Sequence, residues 1–182
     1  MQEVAVSTIN DRIGFDTDIR AACVPGAIDS ARRTALRDAN LTVLLAVAGF
    51  SDRYADGDED AGRSRELATL DAKVNALLMM VSQLMQQQMV LPPAFHVSFT
   101  AVGARLPKTL WSSEVAHGVL ELHFDESLGM PLRLPAKLIA ERDADHVWVE
   151  FEGLGEAVSE ALDRMVFRYH RRQVAEMRQS TP

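Results

Sequence analysis

The fold turns on the stretch PPAFHVSFTAVGARL, residues 92–106, because the hydrophobic period changes there. Upstream, apolar residues recur at helical spacing. From Ala94 onward they alternate, as in a strand with one buried face. Pro92 and Pro93 mark the change: proline has no N–H to give a helix and disfavours helix in the residue before it. Residues 94–106 are strand-like around Gly103. GVLELHFD (118–125) sets Leu120, Leu122 and Phe124 opposite Glu121, His123 and Asp125. LRLPAKLIAER (132–142) aligns Leu132, Leu134, Ala136 and Leu138, and DHVWVEFEG (145–153) aligns Val147, Val149 and Phe151. Short half-buried strands separated by turns predict a small β-barrel or sandwich. A last helix follows from about Leu154 to Arg178. Its acids Glu156, Glu160 and Asp163 come early and its arginines late, which suits the helix macrodipole.

Working back from the prolines, LATLDAKVNALLMMVSQLMQQQ (67–88) carries a heptad repeat. Leu67, Val74 and Val81 fall at position a, and Leu70, Leu77 and Leu84 at position d. A helix over about residues 63–91 would be roughly 40 Å long. Leu78 and Met85 at e, and Met80 at g, widen the stripe beyond a two-helix seam. A homo-oligomer follows, a tetramer in first place and a dimer as the alternative; packing of the stripe on residues 30–50 and the barrel of its own chain stays open. SDRYADGDEDAG (51–62) is a polar, acidic loop. A further helix over about 29–50, capped by Asp29 or Ser30, carries Leu36, Val43, Leu44, Val47 and Phe50 and must be buried. Arg12–Val24 has weak strand potential and ends at the Pro25-Gly26 turn. The chain thus divides into an N-terminal region with helices, 1–91, and a barrel with a C-terminal helix, 92–182.

Composition bounds the function. The chain has 182 residues, 47% of them hydrophobic, and a formal net charge of −7, which disfavours nucleic acid as a partner. Cys23 is the single cysteine, so there is neither a disulfide framework nor a thiolate metal cluster. The N-terminus lacks a signal-peptide pattern, and no apolar run approaches the roughly 20 residues of a membrane span; the expected location is cytoplasmic. His96, His117, His123, His146 and His170 are scattered without metal-ligand spacing, although His96 and His123 are close enough in pattern to meet across strands. GLGEAV (153–158) resembles a dinucleotide fingerprint, but Val158 holds the third glycine position and no βαβ unit follows; it reads as a strand-to-helix turn. DGDEDAG (56–62) places glycine one position late for a calcium loop. No nucleophile elbow or phosphate-binding loop is present. The expectation is a protein without catalytic residues, metal or cofactor. A barrel-rim enzyme is the rival class.

SFTAVGARL (98–106) and the order of elements after it resemble the PilZ domain family, over about residues 90–179. Ser98, Thr100 and Gly103 fall on a degenerate form of the family's [DN]-x-S-x-x-G motif. The resemblance implies an α+β fold: a six-stranded antiparallel barrel closed by a long C-terminal helix, here behind a helical, coiled-coil extension. Many members bind cyclic di-GMP through an R-x-x-x-R segment just before the first barrel strand. Here that place reads QQQMVLPPAF and has neither Arg nor Lys. Other R-x-x-x-R matches, among them Arg33–Arg37 and Arg168–Arg172, fall on helices and read as solvated faces. The resemblance therefore implies an atypical, oligomeric member that docks protein partners of a signalling, type IV pilus, motility or virulence pathway without the usual nucleotide grip. The alternative is a cyclic di-GMP receptor using non-standard arginines, Arg105 and Arg133.

Overall fold

The computed structural model describes residues 12–55, 70, 73, 74, 76, 77, 80, 81, 90–124, 130–141 and 144–179. Six antiparallel strands close a barrel: β1 (Gly14–Pro25), β2 (Ala94–Thr100), β3 (Gly103–Pro107), β4 (His117–His123), β5 (Leu132–Glu141) and β6 (His146–Phe151), in the spatial order β1-β2-β3-β6-β5-β4. Two long helices accompany it, α1 (Ser30–Ala55) and α2 (Glu156–Gln179).

The alternating stretches form the expected strands. Leu120, Leu122, Leu132, Leu134, Val147 and Val149 are fully buried inside the barrel. At β5 the register shifts between Leu138 and Ala140, so Ile139 is buried and Leu138 only partly so. The sixth strand is β1. Its first half pairs with β2 and its second half with β4, and Arg20 is opposite both Ala94 and His123. The barrel thus draws on residues 14–25, which lie outside the 92–182 stretch that sequence alone assigned to it. Phe15, Ile19 and Ala21 point inward from β1.

Helix α1 begins where the capping pattern places it: Asp29 Oδ1 accepts from the Arg32 N–H at 2.7 Å. It runs to Ala55, five residues past the expected end at 50 and into the stretch expected to be loop. Val43, Leu44 and Val47 of α1 join one core with Leu154, Val158, Leu162, Met165 and Val166 around α2. Tyr169 of α2 stacks on Phe15, with ring centroids 4.8 Å apart.

Strands of unequal overlap leave backbone groups without a neighbour, and amide side chains fill two such gaps. Residue 133 of β5 lies beyond the reach of β6. There the buried Asn40 of α1 donates to the Arg133 carbonyl at 2.7 Å and accepts from the Arg133 N–H at 2.8 Å. Residue 16 of β1 lies beyond the reach of β4. There Gln173 of α2 accepts from the Asp16 N–H and donates to its carbonyl, at 3.4 and 3.3 Å.

Candidate functional site

The degenerate motif forms the β2–β3 hairpin. The Thr100 hydroxyl accepts from the Gly103 N–H at 3.1 Å and donates to the Gly103 carbonyl at 2.9 Å. Thr100 is buried, so both residues are committed to closing the turn. Ser98 is half-buried and pairs with Asp16 on one side and Arg105 on the other.

Arg105 and Arg133 are not brought together. The strand order places β6 between β3 and β5. Arg105 donates to His146 Nδ1 at 3.3 Å. Arg133 holds Glu121 at 2.7 Å, and its backbone is bound by Asn40. His96 and His123 do not meet either, because β1 lies between their strands. His96 instead contacts Asp18 at 2.9 Å, and His123 stands opposite Arg20. Burial holds the His123 pKa below its usual value; Glu121 opposes that shift, and Arg133 and Arg20 reinforce it. His123 Nδ1 is buried without a hydrogen-bond partner. Among the described residues no group of three or more His, Cys, Asp or Glu converges as a metal site. Burial also pushes the Cys23 thiol up to about 11.

The segment before β2 contains an arginine contact that sequence order concealed. Arg20 Nη1 donates to the Pro92 carbonyl at 3.2 Å, and the Ala21 N–H donates to that of Pro93. Only the pairing of β1 with β2 delivers this guanidinium, from 72 positions away. The other R-x-x-x-R matches also change meaning. Arg33 and Arg37 are half-buried against the Gly153–Gly155 turn rather than solvated, and Arg37 Nε donates to the Gly153 carbonyl at 2.7 Å. Arg168 is half-buried and donates to the Ala48 carbonyl of α1 at 3.0 Å, whereas Arg172 is exposed beside Glu176. GLGEAV is the strand-to-helix turn expected of it: Gly153 and Gly155 have φ of +60° and +81°, and α2 starts at Glu156.

Of the seam, positions 70, 73, 74, 76, 77, 80 and 81 are helical. Within a single chain Leu70, Val74, Leu77, Met80 and Val81 are 58, 44, 63, 60 and 49% exposed. Leu67 and Leu84, the acidic stretch 56–62, and Leu78 and Met85 lie outside the described residues.

A family profile described as "Atypical PilZ domain, cyclic di-GMP receptor" matches residues 44–179. The chain belongs to the atypical PilZ family. The closed six-stranded barrel with its C-terminal helix is the PilZ-like fold that the hairpin motif implied. A solved structure of a pathogenic protein from Xanthomonas campestris shares this fold. It aligns with a TM-score of 0.71 at 24% identity over 95% of this chain and 97% of its own. That protein is described as a new tetrameric PilZ domain self-assembled via an unusual helical bundle. A search of curated proteins gives no match. No described helix of this PilZ protein is long and apolar enough to cross a membrane.

Proposed function

We propose that this PilZ protein is a non-enzymatic, cytoplasmic signalling adaptor. Copies assemble through the heptad seam, as a tetramer, and present their barrels to protein partners. The observation that carries the reading is the apolar stripe Leu70, Val74, Leu77, Met80 and Val81, left open to solvent in the single chain. Covering each of these half-exposed side chains contributes about 1 kcal/mol, roughly half the value of a full burial. The Xanthomonas protein, described as a tetramer self-assembled via a helical bundle, supports assembly through helices. Multivalent display then raises avidity for a partner without any small ligand.

The usual grip on cyclic di-GMP is not part of this reading. The place of the arginine clamp has no Arg or Lys, and Thr100 and Gly103 are spent on the hairpin. A second reading, a receptor for cyclic di-GMP through non-standard arginines, is favoured by the family description and by Arg20 lying against Pro92. Two measurements separate and test these readings. Light scattering on native protein should give the mass of four chains, and Leu77→Asp with Val81→Asp should reduce it to one while fluorescence of the buried Trp111 is retained. A native protein that is monomeric at tens of micromolar overturns the adaptor assembly. Calorimetric titration with cyclic di-GMP should give no micromolar binding. Such binding, abolished by Arg20→Ala or Arg105→Ala, establishes the receptor.

A further inference from the structure

We propose that Arg33 and Arg37 form a binding site for a phosphoryl group, presented by a phosphate ester, against the Gly153–Gly155 turn. The two arginines are one helical turn apart on α1, so both side chains leave the same face. A Cβ built on Gly153 would lie 2.7 Å from Arg33 Cδ and 3.1 Å from its Nε and Nη1. One built on Gly155 would lie 3.3 Å from Arg37 Nε. Both guanidiniums therefore rest on a single three-residue turn, and the glycines admit them there.

What singles the pair out is half-burial without counter-charge. The chain carries a net charge of −7, yet among the described residues neither guanidinium has a carboxylate partner. Arg33 Nε is buried with no hydrogen-bond acceptor. A buried donor without an acceptor is costly, and such an orphan calls for an explanation. The neighbouring acid on the β6 side, Glu152, is committed to His117 at 3.2 Å and to Lys137 at 3.7 Å. Glu156 is exposed at the first position of α2. Gly155, just before α2, has no side chain to cap the first-turn N–H groups, so the positive end of that helix adds to the guanidinium field. The forked N–H groups of a guanidinium match the oxygens of a phosphoryl group. This inference is independent of assembly through the seam and of the clamp before β2.

Glycine-selective ¹⁵N labelling of the full chain tests it, because only ten glycines report and two of them line the site. The probes are inorganic phosphate and dimethyl phosphate, with chloride at matched ionic strength as the control. Saturable shifts confined to Gly153 and Gly155 are expected with phosphate. An equal response to dimethyl phosphate assigns a diester, and a weaker one assigns a monoester. Arg33→Gln removes a charge whose guanidinium donates no hydrogen bond among the described residues, so the fold is retained and the affinity should fall about tenfold. Shifts that are absent, non-saturating, spread over Gly26 and Gly118, or matched by chloride overturn the proposal, as does unchanged affinity in Arg33→Gln. The wild-type titration decides on locality even without the variant.

Discussion

Asn40 joins α1 to the barrel through two short hydrogen bonds to one peptide position, and its removal gives a calculable loss. Asn40→Ala leaves the Arg133 N–H and carbonyl without partners at a site where the residue supplying them is 1% exposed. Each orphaned buried group costs about 1–3 kcal/mol, so the pair should cost about 2–6 kcal/mol of stability. Asn40→Asp separates the two bonds by pH. The carboxylate still accepts from the Arg133 N–H but faces the Arg133 carbonyl with a lone pair, while the protonated acid restores the donor. Burial and the carbonyl both raise the folded-state pKa of the new acid above its unfolded value of about 3.9. The unfolded state then releases its proton first, so stability falls as pH rises between the two values. Urea denaturation of wild type, Asn40→Ala and Asn40→Asp at fixed protein concentration measures this. Asn40→Asp should approach wild type near pH 4 and Asn40→Ala near pH 8. A loss below about 1 kcal/mol in Asn40→Ala, or an Asn40→Asp difference from wild type that is flat with pH, would falsify the edge-filling role.

Two further outcomes follow from single side chains. Thr100→Val should destabilise the protein by about 1–3 kcal/mol in the same denaturation assay, because it leaves the buried Gly103 backbone groups unpaired, whereas Thr100→Ser should stay close to wild type. His123 has a folded-state pKa below its unfolded value, so it binds a proton more readily in the unfolded chain. Its contribution is present above about pH 6.5 and is lost on acidification below it. His123→Gln should therefore flatten the fall in stability on the acid side of neutrality, and an identical slope in wild type and variant argues against the assignment.

The strands after Pro93 were legible because most of their inward residues are large and alternate, as far as the register shift in β5. β1 was nearly invisible for the opposite reason. Its inward face includes Thr17, Ala21 and Cys23, whose small or polar side chains blur the period of two. The buried Trp111 lies between β3 and β4 and has no period at all. Its place comes from a turn whose Val115 carbonyl accepts from the indole N–H at 2.9 Å. Arginines were misread where only tertiary approach decides their surroundings. An i,i+4 pair on a helix reads as solvated until a glycine turn 116 positions away closes over it. Arg20 was missed for the same reason, since strand pairing alone brings it to Pro92. Sequence periodicity reports which face is buried, but not which element covers the polar remainder.

The ties between α1 and the rest of the fold bear on what an assembly of these chains would transmit. Along α1, Arg37 is bound to the Gly153 carbonyl, Asn40 to the Arg133 backbone, and the Ala48 carbonyl to Arg168 of α2. These anchors span about three helical turns and reach the β6–α2 turn, β5 and α2 in succession. With Val43, Leu44 and Val47 in the common core, α1 has no freedom to pivot on the barrel over that span. The seam lies downstream of α1 in the chain and returns to the barrel at Pro92 and Pro93, whose carbonyls are held by Arg20 and Ala21. Both ends of the connection are therefore fixed to β1 or to elements packed against it. Effective concentration between linked binding modules is greatest when the connection matches the span and cannot collapse. By that argument, substitutions at Arg37, Asn40 or Arg20 would loosen barrel spacing while leaving the number of associated chains unchanged. Small-angle scattering on such variants, paired with light scattering, separates those two properties: a change in mass, or no change in inter-barrel distance, would show that the anchors do not set the geometry.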